Sequence, residues 1–141
     1  MTEFAVSTRS IVVERVMPHP PEKIWRALTQ APLIEAWLMQ NDFQPVVGHR
    51  FHFLGWNGVT DCEVLEIIPL ERLVYSWNAS GEQAPDGLKT IVTWTLAPGG
   101  NGTHVRMEQS GFRPQDEAGY RGMGGGWPRI LGRLEEAAAR A

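Results

Sequence analysis

A chain of 141 residues, 43% hydrophobic and 21% charged, has the composition of a globular protein and the length to bury one core, which excludes the disordered and fibrous classes. Thirteen basic against sixteen acidic side chains leave a net charge of −3, with Lys and Arg scattered along the chain, so nucleic-acid binding driven by counterion release is disfavoured. Cys62 is the only cysteine, which excludes an intrachain disulfide and a thiolate metal cage built from one chain. The start of the chain lacks a basic stretch followed by a long apolar run, and no apolar run reaches the roughly 18 residues of a spanning helix. One domain over residues 1–141, cytoplasmic and without stable membrane insertion, is therefore expected.

Residues 10–17 are rich in Ile and Val and run into Pro18, Pro20 and Pro21, as a first strand does when closed by residues that cannot continue a ladder. Pro21 suits a helix start, and Ile24, Trp25 and Leu28 recur at helical spacing until Pro32 interrupts the run. A second short helix is expected over residues 33–39. From Val46 onward the period is two, with Phe51 and Phe53 alternating with Arg50 and His52 after a break at Gly48. Asn57-Gly58 is a tight-turn dipeptide leading into a strand over residues 59–68 that Pro69 closes. Leu73, Tyr75 and Trp77 alternate in a fourth strand, and residues 80–87 have the Gly, Pro and Asp content of a loop. Residues 89–97 and 103–110 form a second hairpin across the turn-rich residues 98–102.

In the last segment Tyr120, Met123, Trp127, Ile130 or Leu131, Leu134 and Ala138 recur at three- and four-residue steps, which predicts a helix with one apolar face. Gly124, Gly125 and Gly126 each cost such a helix about 1 kcal/mol, and Pro128 about 3 kcal/mol or more. A kink or a fresh start near Trp127 is the expected result. The whole reads as an α+β chain: an antiparallel meander of about six strands, two short helices after the first, and a terminal helix over the buried face.

The segments Pro20-Pro21-Glu22-Lys23-Ile24-Trp25-Arg26-Ala27-Leu28-Thr29, Gly48-His49-Arg50-Phe51-His52-Phe53, Pro69-Leu70-Glu71-Arg72-Leu73-Val74-Tyr75-Ser76-Trp77, Ser110-Gly111-Phe112 and Gly126-Trp127, in that order, resemble the family named after the activator of the Hsp-90 chaperone ATPase, within the START and Bet v 1-like (SRPBCC) superfamily. The likeness covers nearly the whole chain. Two departures stand out: His49 replaces a common second glycine, and the stretch before Gly126-Trp127 is unusually glycine-rich. The resemblance implies a helix-grip fold, a curved sheet wrapped round the long terminal helix with a hydrophobic cavity between them. It does not fix an activity, because fold is not function.

Strand alternation turns Phe51, Phe53, Tyr75, Trp77, Val92, Trp94, Val105 and Met107 inward, opposite Met123, Trp127, Ile130, Leu131 and Leu134. These residues either line an apolar ligand pocket or fill a core. Six tryptophans supply flat faces for a planar or acyl ligand, although Trp25 and Trp37 on the short helices suit packing or a pocket mouth. The phase of residues 59–68 is open: one face carries Cys62, Val64, Glu66 and Ile68, the other Asp61, Glu63, Leu65 and Ile67. Either phase turns a carboxylate inward, where an apolar cavity would raise its pKa. The plainer reading of Glu63 and Glu66 is a solvated carboxylate or a partner for Arg50 or Arg106.

His49 and His52, three apart on one strand, fall on opposite faces and share no ion. His104 shares a face with Arg106 and Glu108, as on a solvated surface. No nucleophile elbow surrounds Ser110 and no phosphate-binding loop occurs, so neither metal, cofactor nor a catalytic residue is implied. Three functions fit these residues. The first is a non-enzymatic binder of a small hydrophobic or aromatic molecule. The second, which the resemblance implies, is a co-chaperone-like regulator with a chaperone partner. The third, also from the superfamily, is a polyketide cyclase or aromatase using Glu63, Glu66 or Tyr75 for proton transfer. An exposed edge strand leaves a homodimer as a further partnership.

Overall fold

The computed structural model describes residues 8–55, 58–79 and 87–141; Asn57 of the tight-turn dipeptide and residues 80–86 of the expected loop lie outside these. Strand β1 (Arg9–Met17) stops where Pro18 follows, and α1 (Pro21–Thr29) begins on Pro21. Helix α2 (Ala31–Trp37) takes Pro32 into its first turn, where a missing N–H leaves no bond unmade. It therefore starts and ends earlier than the residues 33–39 expected, releasing Met39 into the chain that forms the short β2 (Gln40–Asn41). Val46 and Val47 do not join a strand. They are 56% and 58% exposed in a turn that includes Gly48 at φ 90°, and β3 spans Arg50–Gly55.

Strands β4 (Gly58–Ile68), β5 (Arg72–Ala79), β6 (Lys89–Gly99) and β7 (Gly102–Phe112) complete an antiparallel sheet of seven strands in the order β1-β7-β6-β5-β4-β3-β2. Consecutive strands are neighbours from β2 to β7, and β1 returns to lie beside β7. That return is tight at Gly102, where a Cβ would run into the Met17 carbonyl oxygen, so glycine is required there by close approach rather than by dihedral freedom.

The open phase of β4 resolves through a β-bulge. Val64 pairs with Tyr75 and Glu66 with Val74, leaving Leu65 as the extra residue; such an insertion reverses the alternation beyond it. Cys62 and Val64 face the core before the bulge and Ile67, paired with buried Leu73, faces it after. Both candidate carboxylates consequently point away from the core: Glu63 lies across from Arg50 at 3.6 Å and Glu66 from Arg72 at 2.5 Å, each more than a third exposed.

Helix α3 (Glu117–Ala139) runs unbroken through Gly124–Gly126 and Pro128, so no fresh start occurs at Trp127. The missing Pro128 N–H and the glycine entropy are outweighed by tertiary packing, since Trp127, Leu131 and Leu134 are fully buried against the sheet. The helix is launched by Arg113 and Asp116 around a single 3-10 turn (Pro114–Asp116). The Asp116 carboxylate accepts the Arg113 backbone N–H at 2.7 Å and two guanidinium N–H groups at 2.9 Å.

The Arg113 hydrogen bonds hold the Asp116 carboxyl below its usual value of 3.8 despite the opposing effect of burial. A depressed carboxyl contributes stability that is whole above the unfolded value and is lost as pH falls through the folded one. Asp116→Asn is expected to lower stability by about 1 kcal/mol at neutral pH and to flatten the loss of stability below about pH 4, read from chemical denaturation across an acid pH series.

Candidate ligand-binding site

The inward strand positions assemble one aromatic cluster. Phe51 meets Phe53 and Tyr75 at ring-centroid distances of 5.4 Å, Phe53 meets Trp77 at 5.1 Å, and Trp127 of α3 meets Trp77 at 5.7 Å and Trp94 at 5.9 Å. Most of these contacts are edge-to-face, the arrangement that ring quadrupoles favour. Trp37 of α2 closes the cluster against Trp94 at 5.5 Å. Val92, Val105, Met107 and Leu131 are fully buried beside it, Ile130 is 8% exposed, and Met123 packs from its partly buried edge. The structure thus brings all thirteen of the sequence-predicted apolar residues, Leu134 included, to one side of the sheet and leaves Glu63 and Glu66 on the other.

Within this cluster runs a polar seam that sequence reasoning passed over. The Trp127 indole N–H donates to Gln109 Oε1 at 2.8 Å, Gln109 Nε2 donates to Thr90 Oγ1 at 3.0 Å, and the Thr90 hydroxyl donates to the Trp77 carbonyl at 2.8 Å. Gln109 is 0% exposed. The signal was present in β7, where Gln109 continues the inward phase of Val105 and Met107. The Trp94 indole N–H donates to the Tyr75 hydroxyl at 3.0 Å, and burial pushes that hydroxyl well above its ordinary range. Tyr75 is thus a neutral hydrogen-bonding group at physiological pH.

Open volume lies at the flank of the cluster, on one face of α3. A pocket of about 410 Å³ is lined by Gly119, Gly122 and Gly126, by Met123 and Ile130, and by Arg129 and Arg133. These positions recur at three- and four-residue steps and so share a helix face. A Cβ on Gly122 or Gly126 would meet nothing within 4 Å among the described residues. Met123 and Ile130 form the join between pocket and core. Of the predicted site residues these two border the opening, whereas the glycines and arginines were missed as lining; the glycine run had been read only as a cost to the helix.

A second hollow, about 430 Å³, lies on the opposite face of the sheet over Arg50, His52, Asp61, Glu63, Ser76 and Asn78. Its charges are mutually paired. His52 approaches Asp42 at 3.4 Å and Asp61 at 3.5 Å, and Glu63 is 3.6 Å from Arg50. His49 immediately precedes β3, its ring stacked on buried Phe51 at 6.4 Å, whereas His52 lies on the exposed side. His49 Nε2 lies 3.0 Å from the Asp42 carbonyl oxygen while His52 reaches the Asp42 carboxylate. Among the described residues no group of three or more His, Cys, Asp or Glu is placed to hold a metal ion, and no helix is long and apolar enough to cross a membrane.

A curved antiparallel sheet closed over a long terminal helix, with two short helices after the first strand, defines a helix-grip α+β protein. Residues 18–139 match the family described as Activator of Hsp90 ATPase homolog 1-like protein, and the chain belongs to that family. Protein MLL2253 from Mesorhizobium loti is similar at 52% identity, with a TM-score of 0.88 over 94% of this chain and 98% of that one. Protein BH1534 from Bacillus halodurans shares 25% identity and a TM-score of 0.78, covering 92% of this chain and 96% of its own. The Aha1 dimer from Colwellia psychrerythraea shares the fold at 24% identity and a TM-score of 0.75, over 92% and 96% of the two chains. None of the curated proteins compared matches the chain.

The polar seam yields a stability prediction. Gln109→Leu leaves the Trp127 indole N–H buried without an acceptor, at a cost of about 1–3 kcal/mol. Urea denaturation of this variant should show a lower midpoint with an unchanged slope; an unchanged midpoint would mean that the seam contributes nothing.

Proposed function

We propose that this protein binds a small apolar or aromatic molecule, without converting it, at the flank of α3 where the aromatic core opens. The observation that carries this reading is the α3 pocket itself: its volume of about 410 Å³ falls in the range of small-molecule sites, and such sites are mostly apolar with a few placed polar groups. Met123 and Ile130 give the ligand an apolar wall, and Trp127, between them on the helix and fully buried, stands close enough to report its arrival by fluorescence. Phe51, Phe53, Tyr75, Trp77, Val92, Trp94, Val105, Met107 and Leu131 support that wall as the packed layer behind it. The outward placement and ion pairing of Glu63 and Glu66 favour binding over cyclase chemistry.

The test is a titration with the neutral fluorophore N-phenyl-1-naphthylamine. Saturable binding is expected, weakened at least about tenfold by Gly126→Leu, which fills the pocket. Gly125→Ala, a helix glycine outside the lining, serves as the control and should bind as the parent does. Equal binding by the parent and Gly126→Leu would remove the pocket as the site. A change in chaperone ATPase rate on adding the protein, with no probe binding, would instead favour the regulatory role that the family's description suggests.

A second reading, pairing of two copies, is favoured by the edge position of β1, which among the described residues pairs with β7 alone. This strand lies at the end of the sheet with Val12 and Val16 44% and 50% exposed, and an apolar edge of this kind is a template for another strand. The Colwellia relative is described as a dimer. Sedimentation should then show a dimer that Val12→Lys converts to monomer; a monomer at all concentrations would dismiss the pairing.

A further inference from the structure

Among the described residues, two guanidinium groups are the charged groups in the lining of the α3 pocket. Arg129 and Arg133 stand one helical turn apart on its rim, and residues at that spacing are neighbours on the helix surface. Both are exposed, and among the described residues neither makes an ion pair. The nearby carboxylates make no ion pair with them among the described residues: Glu135 is held by Arg15 at 2.9 Å, and Glu136 shares with both arginines the adjoining hollow on the far side of the helix crest without pairing to either. Like charges at this spacing repel, and an anion bound between the two guanidinium groups would relieve that repulsion. The chain as a whole is acidic, at −3, yet the charged side chains that edge this apolar opening among the described residues are both cations.

From this we infer that the ligand of the proposed site is an anionic amphiphile, an apolar body bearing one carboxylate, sulfate or phosphate group that the two arginines hold at the rim. The inference rests on the binding reading above and specifies its ligand class. Each planar guanidinium offers a fork of N–H donors matched to such an oxyanion, and charge-assisted bonds of this kind are the strong ones. The aliphatic stems of the same side chains extend the apolar wall between Met123 and the anion. Glycine at positions 122 and 126 leaves room for the body of the ligand to lie along the helix.

The experiment compares two probes with the same ring system: 8-anilinonaphthalene-1-sulfonate, which is anionic, and N-phenyl-1-naphthylamine, which is neutral. The double variant Arg129→Gln, Arg133→Gln should weaken the sulfonate about tenfold and leave the neutral probe unchanged. The pair Arg129→Lys, Arg133→Lys should restore part of that loss, and added salt should weaken the sulfonate alone. Both arginines are exposed and unpaired among the described residues, so the variants are expected to fold, which circular dichroism checks. Decanoate or 1-naphthoate should displace the bound sulfonate at lower concentration than decanol does, and that difference should vanish in the Gln variant. If the Gln variant weakens both probes equally, or neither, the anionic class is overturned while the pocket stands. If Gly126→Leu leaves both probes bound as before, the site itself falls and the inference with it.

Discussion

Trp127 joins the helix to the sheet, and the placement of everything else follows from how its ring is seated. Its edges meet Trp77 and Trp94 while its N–H ends on Gln109, so the indole is held at once by apolar contact and by a buried acceptor. With that ring in the middle of the grip, the centre of the space between α3 and the sheet is taken up by side chains. Volume open to a ligand is displaced to the side, where Met123 and Ile130 mark the edge of the core and the helix surface narrows to glycine. A family fold that suggests a central cavity is thus read in this chain as a packed centre with a lateral opening.

The two faces of the sheet are electrostatically different, and the bulge at Leu65 keeps them so. Without the inserted residue, the alternation that buries Cys62 and Val64 would also bury Glu66. A carboxylate among these aromatic rings would be strongly desolvated, at a cost that no cation in the cluster offsets. With the bulge, Glu66 reaches Arg72 on the solvent side. The Asp42, His52, Asp61, Glu63 and Arg50 groups likewise lie on the outer face as a set of exposed pairs. Such exposed pairs contribute little to stability, and their value here is that the polar groups within the aromatic cluster are neutral and hydrogen-bonded, as Gln109, Thr90 and Tyr75 are.

How much of this was legible in the sequence depends on whether a local pattern or a long-range contact sets the outcome. The strands around Phe51, Tyr75, Trp94 and Val105 could be read from period-two alternation because each is buried on one face only. The early start of α2 is not legible because Pro32 looks like an interruption, although in a first turn it is compatible with the helix. The phase of β4 could not be read: a bulge breaks the alternation on which the reading relies, and both assignments considered were uniform along the strand. Gln109 does not stand out in an apolar alternation, although a polar side chain in an inward phase marks a partner that must come from elsewhere. The pocket was only half visible, since Met123 and Ile130 belong to the apolar stripe but the glycines enter as space rather than as side chains.

The six glycines of α3 bring these strands of argument together. In a helix each costs about 1 kcal/mol relative to alanine, and a close approach is the usual compensation. Gly124 comes nearest to one, although a Cβ there would make only ordinary van der Waals contact with Ile11. Gly122 and Gly126 have none among the described residues, and they border the pocket. The helix persists because the turns after the glycine run are secured by Trp127, Leu131 and Leu134, which let propensity be overridden locally. The burial that fixes the C-terminal half of α3 therefore permits an open surface in its N-terminal half, and the same anchor that fills the centre of the fold makes room at its flank.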